Sequence, residues 1–170
     1  MKLAWEYISA EHKELIENFE CQDESDVSLF LKEEALRFHL LNMARTRLYF
    51  DEDHNLVGYF TVYNDLMEFS NRQRRKHRYS LPARHRYYPA LKLHYLGVDE
   101  RHRNKKYGTY LLLETLTLAM QTSRSVGCVF LTLEAIKSAV PFYYHHDFKK
   151  LGKSHDNKYL NMFFKIDELL

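Results

Sequence analysis

The sequence predicts an α/β chain: a mixed β-sheet of about six to seven strands, flanked by helices on both faces. Three observations predict it. Strand-like and helix-like segments alternate in the second half, which implies a crossover unit with parallel pairing. In the first half, "RTRLYFDEDHNLVGYFTVY" reads as two strands joined by an acidic turn at 51–55, an antiparallel hairpin. Finally, "GCVFLTLEA" is apolar enough to be a strand covered on both faces. With 170 residues, 45% apolar and 28% charged, residues 1–170 read as a single domain with a proper core.

Each element has its own reason. "KLAWEYI" alternates weakly and predicts a first strand. "SAEHKELIENF" predicts a helix with Ser9 as N-cap and acids in its first turn. After the polar break "CQDESDV", a second helix is expected over 27–43, with Leu29, Phe30, Leu36, Leu40 and Leu41 as its apolar stripe. The hairpin follows. Residues 71–88 lack either apolar period and read as loop or short helix. A strand is expected after Pro89, then a basic loop and a long leucine-rich helix opened by Gly108 and Thr109, ending near Ser123. "SAVPFYYHHDF" predicts a short helix, since Pro141 suits a first turn. In the last strand, Leu160, Met162, Phe164 and Ile166 alternate to one face.

The charge of +2 conceals an asymmetry. Residues 1–70 hold 6 Lys/Arg against 15 Asp/Glu, and the remainder holds 19 against 8. Such a split suggests an acidic and a basic face with different partners, or plain clustering on solvated surfaces. No apolar run is long enough to span a bilayer, and the N-terminus carries charges where a signal peptide needs an apolar core. Cys21 and Cys128 have no metal-type spacing, and ten histidines show no zinc-binding pattern. No metal is expected. A reduced, cytoplasmic setting without membrane contact is the expectation.

The stretch "YLGVDERHRNKKYGTYLLLETL" raises the first functional question. A strand running through a loop into a helix presents backbone N–H groups and the positive end of a helix dipole. Arg101, Arg103, Lys105 and Lys106 would add charge for a phosphate, and a solvated basic turn is the alternative. Residues 71–88 contain seven Lys/Arg and no acid. With Tyr79, Tyr87 and Tyr88 they could grip RNA, line a substrate opening, or simply be solvated.

Four segments resemble the GNAT superfamily of N-acetyltransferases. "LGVDERHRNKKYGTYLL" is similar to its Q/R-x-x-G-x-G/A cofactor segment, with Arg103 at the first position and Gly108 at the last. Lys106 stands at the first glycine, and Asn104 replaces another glycine common in relatives. "SAVPFYYHHDF" is similar to the family's A-x-x-F-Y segment, with Phe142 and Tyr143 on the F-Y pair and Asp147 where glycine is usual. "NFECQDESDVSLFLKEEALRF" resembles the opening of a branch that includes tRNA-acetylating toxins, and "LVGYFTV" fits its central strand.

The resemblance implies acetyl-CoA as co-substrate, held by Leu96, Gly97, Val98, Arg103, Asn104, Lys105, Lys106, Tyr107, Gly108 and Thr109. Leu96 and Val98 would pair with pantetheine as an added strand. It implies direct acetyl transfer to a primary amine of a small molecule or protein, with Tyr143 as general acid to the CoA thiolate. Glu134 is a candidate base, or equally an N-terminal cap or charge partner for the next helix, and His94 reads as a structural histidine. Aminoacyl-tRNA acetylation and a non-catalytic acyl-CoA-binding module are the alternatives. Tyr95 stands where such toxins tend to carry Arg, which speaks against the first alternative. A homodimer through the last strands is a further expectation.

Overall fold

A computed structural model describes residues 3–21, 24–154 and 156–169. Lys2, Gln22 and Asp23, from the predicted first strand and polar break, lie outside the described residues. The elements are β1 (Ala4–Tyr7), α1 (Lys13–Glu17), α2 (Ser25–Glu33), α3 (Ala35–Leu40), β2 (Arg45–Phe50), β3 (Leu56–Glu68) and α4 (Asn71–His77). Then come β4 (Tyr87–Val98), α5 (Tyr107–Val126), β5 (Phe130–Ile136), α6 (Val140–His145), β6 (Lys149–Lys153) and β7 (Tyr159–Lys165). The strands form a seven-stranded mixed sheet in the order β1-β2-β3-β4-β5-β7-β6. The expected α/β architecture is present. By internal contacts the chain divides into two compact units, Met1–Tyr63 with Leu93–Thr115, and Asn64–Lys92 with Leu116–Leu170.

In the first unit, β1 and β3 both pair antiparallel with β2, from Arg45 opposite Val62 to Phe50 opposite Leu56. The acidic turn closes as an Asx turn: Asp51 Oδ1 accepts from the backbone N–H groups of Asp53 at 3.1 Å and Asn55 at 2.8 Å. Ser9 caps the short 3-10 turn Ala10–His12 that leads into α1, in a capping box with His12. The helix expected over 27–43 is two helices broken at Glu34. The break shifts the helical phase, so the predicted stripe does not face one way. Phe30 is buried, yet Leu29 is 48% exposed, Leu40 73% and Leu41 58%. The buried face is instead Val27, Phe30, Leu31 and Ala35, packed with Phe19 and Tyr59. Burying one such large side chain contributes about 2–3 kcal/mol.

Two glycines make this packing possible. A Cβ on Gly97 would lie 2.5 Å from Val27 Cγ1, and one on Gly58 would lie 2.5 Å from the Gly97 carbonyl oxygen. The end of β4 therefore approaches both α2 and β3 more closely than any side chain allows.

In the second unit, β7 pairs antiparallel with β5 and with β6. The expectation that β7 buries one face holds for Met162 and Phe164 but is incomplete. Phe163, on the other face, is fully buried against Phe69 and Phe130, so this strand is covered on both sides near its end. The segment 71–88 contains the helix α4, opened by a Ser70–Gln73 capping box. β4 begins at Tyr87, before Pro89 rather than after it. Among the described residues no helix is long and apolar enough to cross a membrane.

Candidate active site

The first unit carries all ten residues expected to hold the cofactor. Leu96, Gly97 and Val98 end β4, Arg103 to Lys106 form the following turn, and Tyr107, Gly108 and Thr109 open α5. The turn has an unusual backbone. Asn104 has φ 61° and Lys106 φ 60°, both left-handed. These are the two positions where the family resemblance places glycine. Left-handed backbone at a non-glycine residue costs on the order of 1–3 kcal/mol and persists only where the surroundings hold it. Gly108 lies within α5, so the left-handed conformations belong to Asn104 and Lys106 instead.

Alternating backbone conformations ahead of a helix make a concave nest of N–H groups suited to an anion. The 20-residue α5 adds its dipole to the same end. Lys105 and Lys106 are exposed, so their ammonium groups are available to a phosphate. This arrangement fits the pyrophosphate of CoA.

Arg101 does not join that set, which corrects one expectation. Its guanidinium is committed to Asp99, with Nε donating to Oδ1 at 2.7 Å and Nη2 to Oδ2 at 2.9 Å. Asp99 is fully buried. Burial alone would raise its carboxyl pKa, but hydrogen bonds from Arg101 and the Glu20 N–H, with the Arg101 charge, hold it below the usual range. Sequence reasoning missed Asp99. The signal was available: an acid opening a basic loop directly after a buried strand.

His94 is in contact with the rings of Phe30, Tyr63 and Tyr95, between 4.5 and 5.2 Å away. That aromatic surround suits the structural role expected of it. Tyr95 stacks on Phe30 at 4.4 Å.

The second unit carries both catalytic candidates. Glu134, on β5, pairs with Lys92 Nζ on β4 at 3.0 Å, a partner on a strand rather than on the helix that follows it. Tyr143 lies in α6, partly buried, in edge contact with Phe142 and with the buried Phe148. Backbone hydrogen bonds fix the main chain there: the N–H groups of His146 and Phe148 both donate to the Tyr143 carbonyl at 3.1 Å. On the same helix, burial and then the neighbouring His145 lower the pKa of His146, so its imidazole is neutral at pH 7.

The basic segment sorts into two kinds of cation. Arg74 is buried and donates to the carbonyls of Pro82 at 2.5 Å and Ala83 at 2.9 Å, and to the Tyr88 hydroxyl at 3.0 Å. It holds the loop together. Arg86 pairs with Glu68. Arg72, Arg75, Lys76, Arg78 and Arg84 are exposed. Among the described residues, no group of three or more His, Cys, Asp or Glu is placed to hold a metal ion.

Comparison with family sequence profiles matches residues 8–148 to the acetyltransferase (GNAT) family. Comparison with curated proteins found no match. Among solved structures, the chain is similar to AtaT complexed with acetyl-methionyl-tRNAfMet, at TM-score 0.82 and 21% identity over 99% of this chain and 97% of that one. It is similar to a tyrosine-to-phenylalanine mutant of KacT, at TM-score 0.81 and 23% identity over all of both chains. A third structure is a tyrosine-to-phenylalanine mutant of the AtaT toxin bound to the C-terminus of the antitoxin AtaR and acetyl-CoA. There the TM-score is 0.77 and the identity 19%, over 98% of this chain and 95% of that one. These likenesses establish the fold. With the profile match over most of its length, the chain belongs to the acetyltransferase (GNAT) family, and at that level it is an acetyl-CoA-dependent acyltransferase.

Proposed function

We propose that the chain transfers an acetyl group directly from acetyl-CoA to a primary amine, and that the amine is the amino group of an aminoacyl-tRNA. The observation that carries the cofactor half is the left-handed turn at Asn104 and Lys106 leading into α5. In this reading the turn and the first N–H groups of α5 take the pyrophosphate, with Arg103, Lys105 and Lys106 adding charge. Backbone groups of Leu96 and Val98 pair with pantetheine beside Gly97.

The chemistry then needs two proton movements. The neutral amine attacks the thioester carbon to give a tetrahedral intermediate, whose collapse breaks the C–S bond. Tyr143 donates its phenolic proton to the departing thiolate. A phenol of ordinary pKa, about 10, is protonated at neutral pH, and the thiolate's conjugate acid lies near about 8.5. Glu134, held by Lys92, takes the amine proton directly or through water. The products are the amide and free CoA thiol.

For the acceptor, the exposed cations Arg72, Arg75, Lys76, Arg78 and Arg84 supply what a nucleic-acid backbone requires. The structural likeness to AtaT, whose complex contains acetyl-methionyl-tRNAfMet, points the same way. Small-molecule and protein amines, first from sequence alone, come second on these grounds.

The test is direct. Incubation with acetyl-CoA and total aminoacyl-tRNA is expected to yield N-acetylated aminoacyl-tRNA by mass spectrometry. Turnover of small amines or peptides with no acetylated tRNA would return the acceptor to those classes. Acetyl-CoA binding with no turnover of any acceptor would leave the non-catalytic module. For the general acid, Tyr143→Phe is expected to lower kcat about 100-fold or more while the acetyl-CoA Kd holds.

A further inference from the structure

The strained turn that would hold pyrophosphate begins at one buried carboxylate. Asp99 receives four hydrogen bonds. Oδ1 accepts from the Arg101 N–H at 3.0 Å and Arg101 Nε at 2.7 Å. Oδ2 accepts from Arg101 Nη2 at 2.9 Å and from the Glu20 N–H at 3.1 Å. The same two stretches of chain meet again through their backbones. The Glu100 N–H donates to the Glu20 carbonyl at 2.9 Å, and Arg101 Nη2 reaches the Asn18 carbonyl at 3.2 Å. Further along the same two stretches, Arg103 Nη2 lies 3.7 Å from Cys21 Sγ, and the Cys21 N–H donates to Ser28 Oγ at 2.7 Å inside α2. A continuous set of contacts therefore runs from the loop ahead of α5, through Asp99, to the turn between α1 and α2.

We propose that Asp99 is a positioning residue for the acetyl-CoA loop, and that it couples occupancy of that loop to the turn at residues 18–21. The proposal rests on the reading of 103–109 as the phosphate-binding turn. Asn104 and Lys106 stay left-handed only if their flanks are held, and α5 holds one flank. Asp99 holds the other. Its carboxylate must remain charged and in register for both the Arg101 fork and the Glu20 N–H to be satisfied. A buried carboxylate with four donors has no alternative partner set, so its loss frees both stretches together. Coupling of this kind is reciprocal: a ligand that orders the loop also orders residues 18–21.

The experiment compares wild type, Asp99→Asn and Arg101→Gln in two readouts. The first is the acetyl-CoA Kd by calorimetry, expected to rise about tenfold for Asp99→Asn and about threefold for Arg101→Gln. The second is hydrogen exchange of the amides at 18–21, expected to slow on adding acetyl-CoA in wild type and to stay unchanged in Asp99→Asn. A merely structural Asp99 would lower the melting temperature yet leave that ligand-dependent protection in place. Arg101 is exposed, so its variant decides the matter by Kd if Asp99→Asn does not fold. Wild-type Kd in the folded variants overturns the proposal and leaves the phosphate-turn reading intact. Failure of the wild type to bind acetyl-CoA overturns that reading, and the proposal with it.

Discussion

Two basic stretches of this chain look alike in sequence and are built on different principles. In the turn ahead of α5, the distinctive feature is backbone: left-handed Asn104 and Lys106 followed by a 20-residue helix. In 71–88 it is side chain: a short capped helix and loop that display Arg72, Arg75, Lys76, Arg78 and Arg84. The first stretch commits Arg101 to Asp99, and the second commits Arg74 to the Pro82 and Ala83 carbonyls and Arg86 to Glu68. A count of cations therefore overstates the charge offered to a ligand in both places. What differs is geometry. Backbone N–H groups fixed by strain suit one small anion at a defined point. Exposed cations on a short helix and the loop after it suit a long polyanion, whose binding is diffuse and dependent on salt.

The largest effect should come from reversing the side-chain region. The triple variant Arg72→Glu, Arg75→Glu, Lys76→Glu is expected to lower kcat/KM for aminoacyl-tRNA at least about 100-fold, about 2.7 kcal/mol. It should flatten the salt dependence of that binding and leave the acetyl-CoA Kd unchanged. An equal loss in both ligands would erase the distinction between the two stretches.

Next in size is Arg74→Ala, which removes a buried guanidinium and its hydrogen bonds to the Pro82 and Ala83 carbonyls and the Tyr88 hydroxyl. Urea denaturation should register a loss of about 2–3 kcal/mol. Arg75→Ala, an exposed neighbour, should stay within about 0.5 kcal/mol. Comparable losses would mean that Arg74 does not hold the loop.

A smaller effect is expected at Lys106→Gly. Glycine takes the left-handed backbone without strain, and its greater freedom when unfolded offsets that gain, so stability should change by less than about 1 kcal/mol. The lost ammonium should raise the acetyl-CoA Kd about threefold. A Kd change above about a hundredfold would show that the side chain, rather than the backbone turn, carries the phosphate site.

The smallest is a pH effect. Asp99 has a folded pKa below its unfolded value of about 3.9. Its stabilisation is fully present above that unfolded value and is lost as pH falls through the folded one. Wild type should therefore lose stability more steeply than Asp99→Asn as pH drops below about 4, in denaturant melts at matched ionic strength. Parallel curves would mean the carboxylate is not charged in the fold.

Much of the fold was legible because patterns in the sequence are local. The order of strands and helices, the acidic turn at Asp51 and the Ser9 cap all followed from periodicity and turn chemistry. The misplaced elements failed where packing overrode those patterns. The stripe at Leu29, Leu40 and Leu41 presumes one continuous helix, and the break at Glu34 turns it to solvent. Alternation pointed only to Leu160, Met162, Phe164 and Ile166 on one face of the last strand, and Phe163 on the other face is buried against Phe69 and Phe130. In the candidate site, Arg103, Gly108 and Tyr143 were proposed from family resemblance. Asp99 escaped because its partners, Glu20 and Asn18, lie far away along the chain.

By itself, then, the sequence determined the kinds of element, their order, the acetyltransferase resemblance and the places where charge concentrates. These are properties of neighbours along the chain. The tertiary structure alone decided which cations are built into the fold and which stay exposed, because Arg74 looks no different from Arg75 until its partners are in place. It also decided that Asn104 and Lys106 carry the left-handed turn expected of glycine. Their strain is tolerated because β4, the buried carboxylate of Asp99 and the long α5 hold the chain on both sides of it.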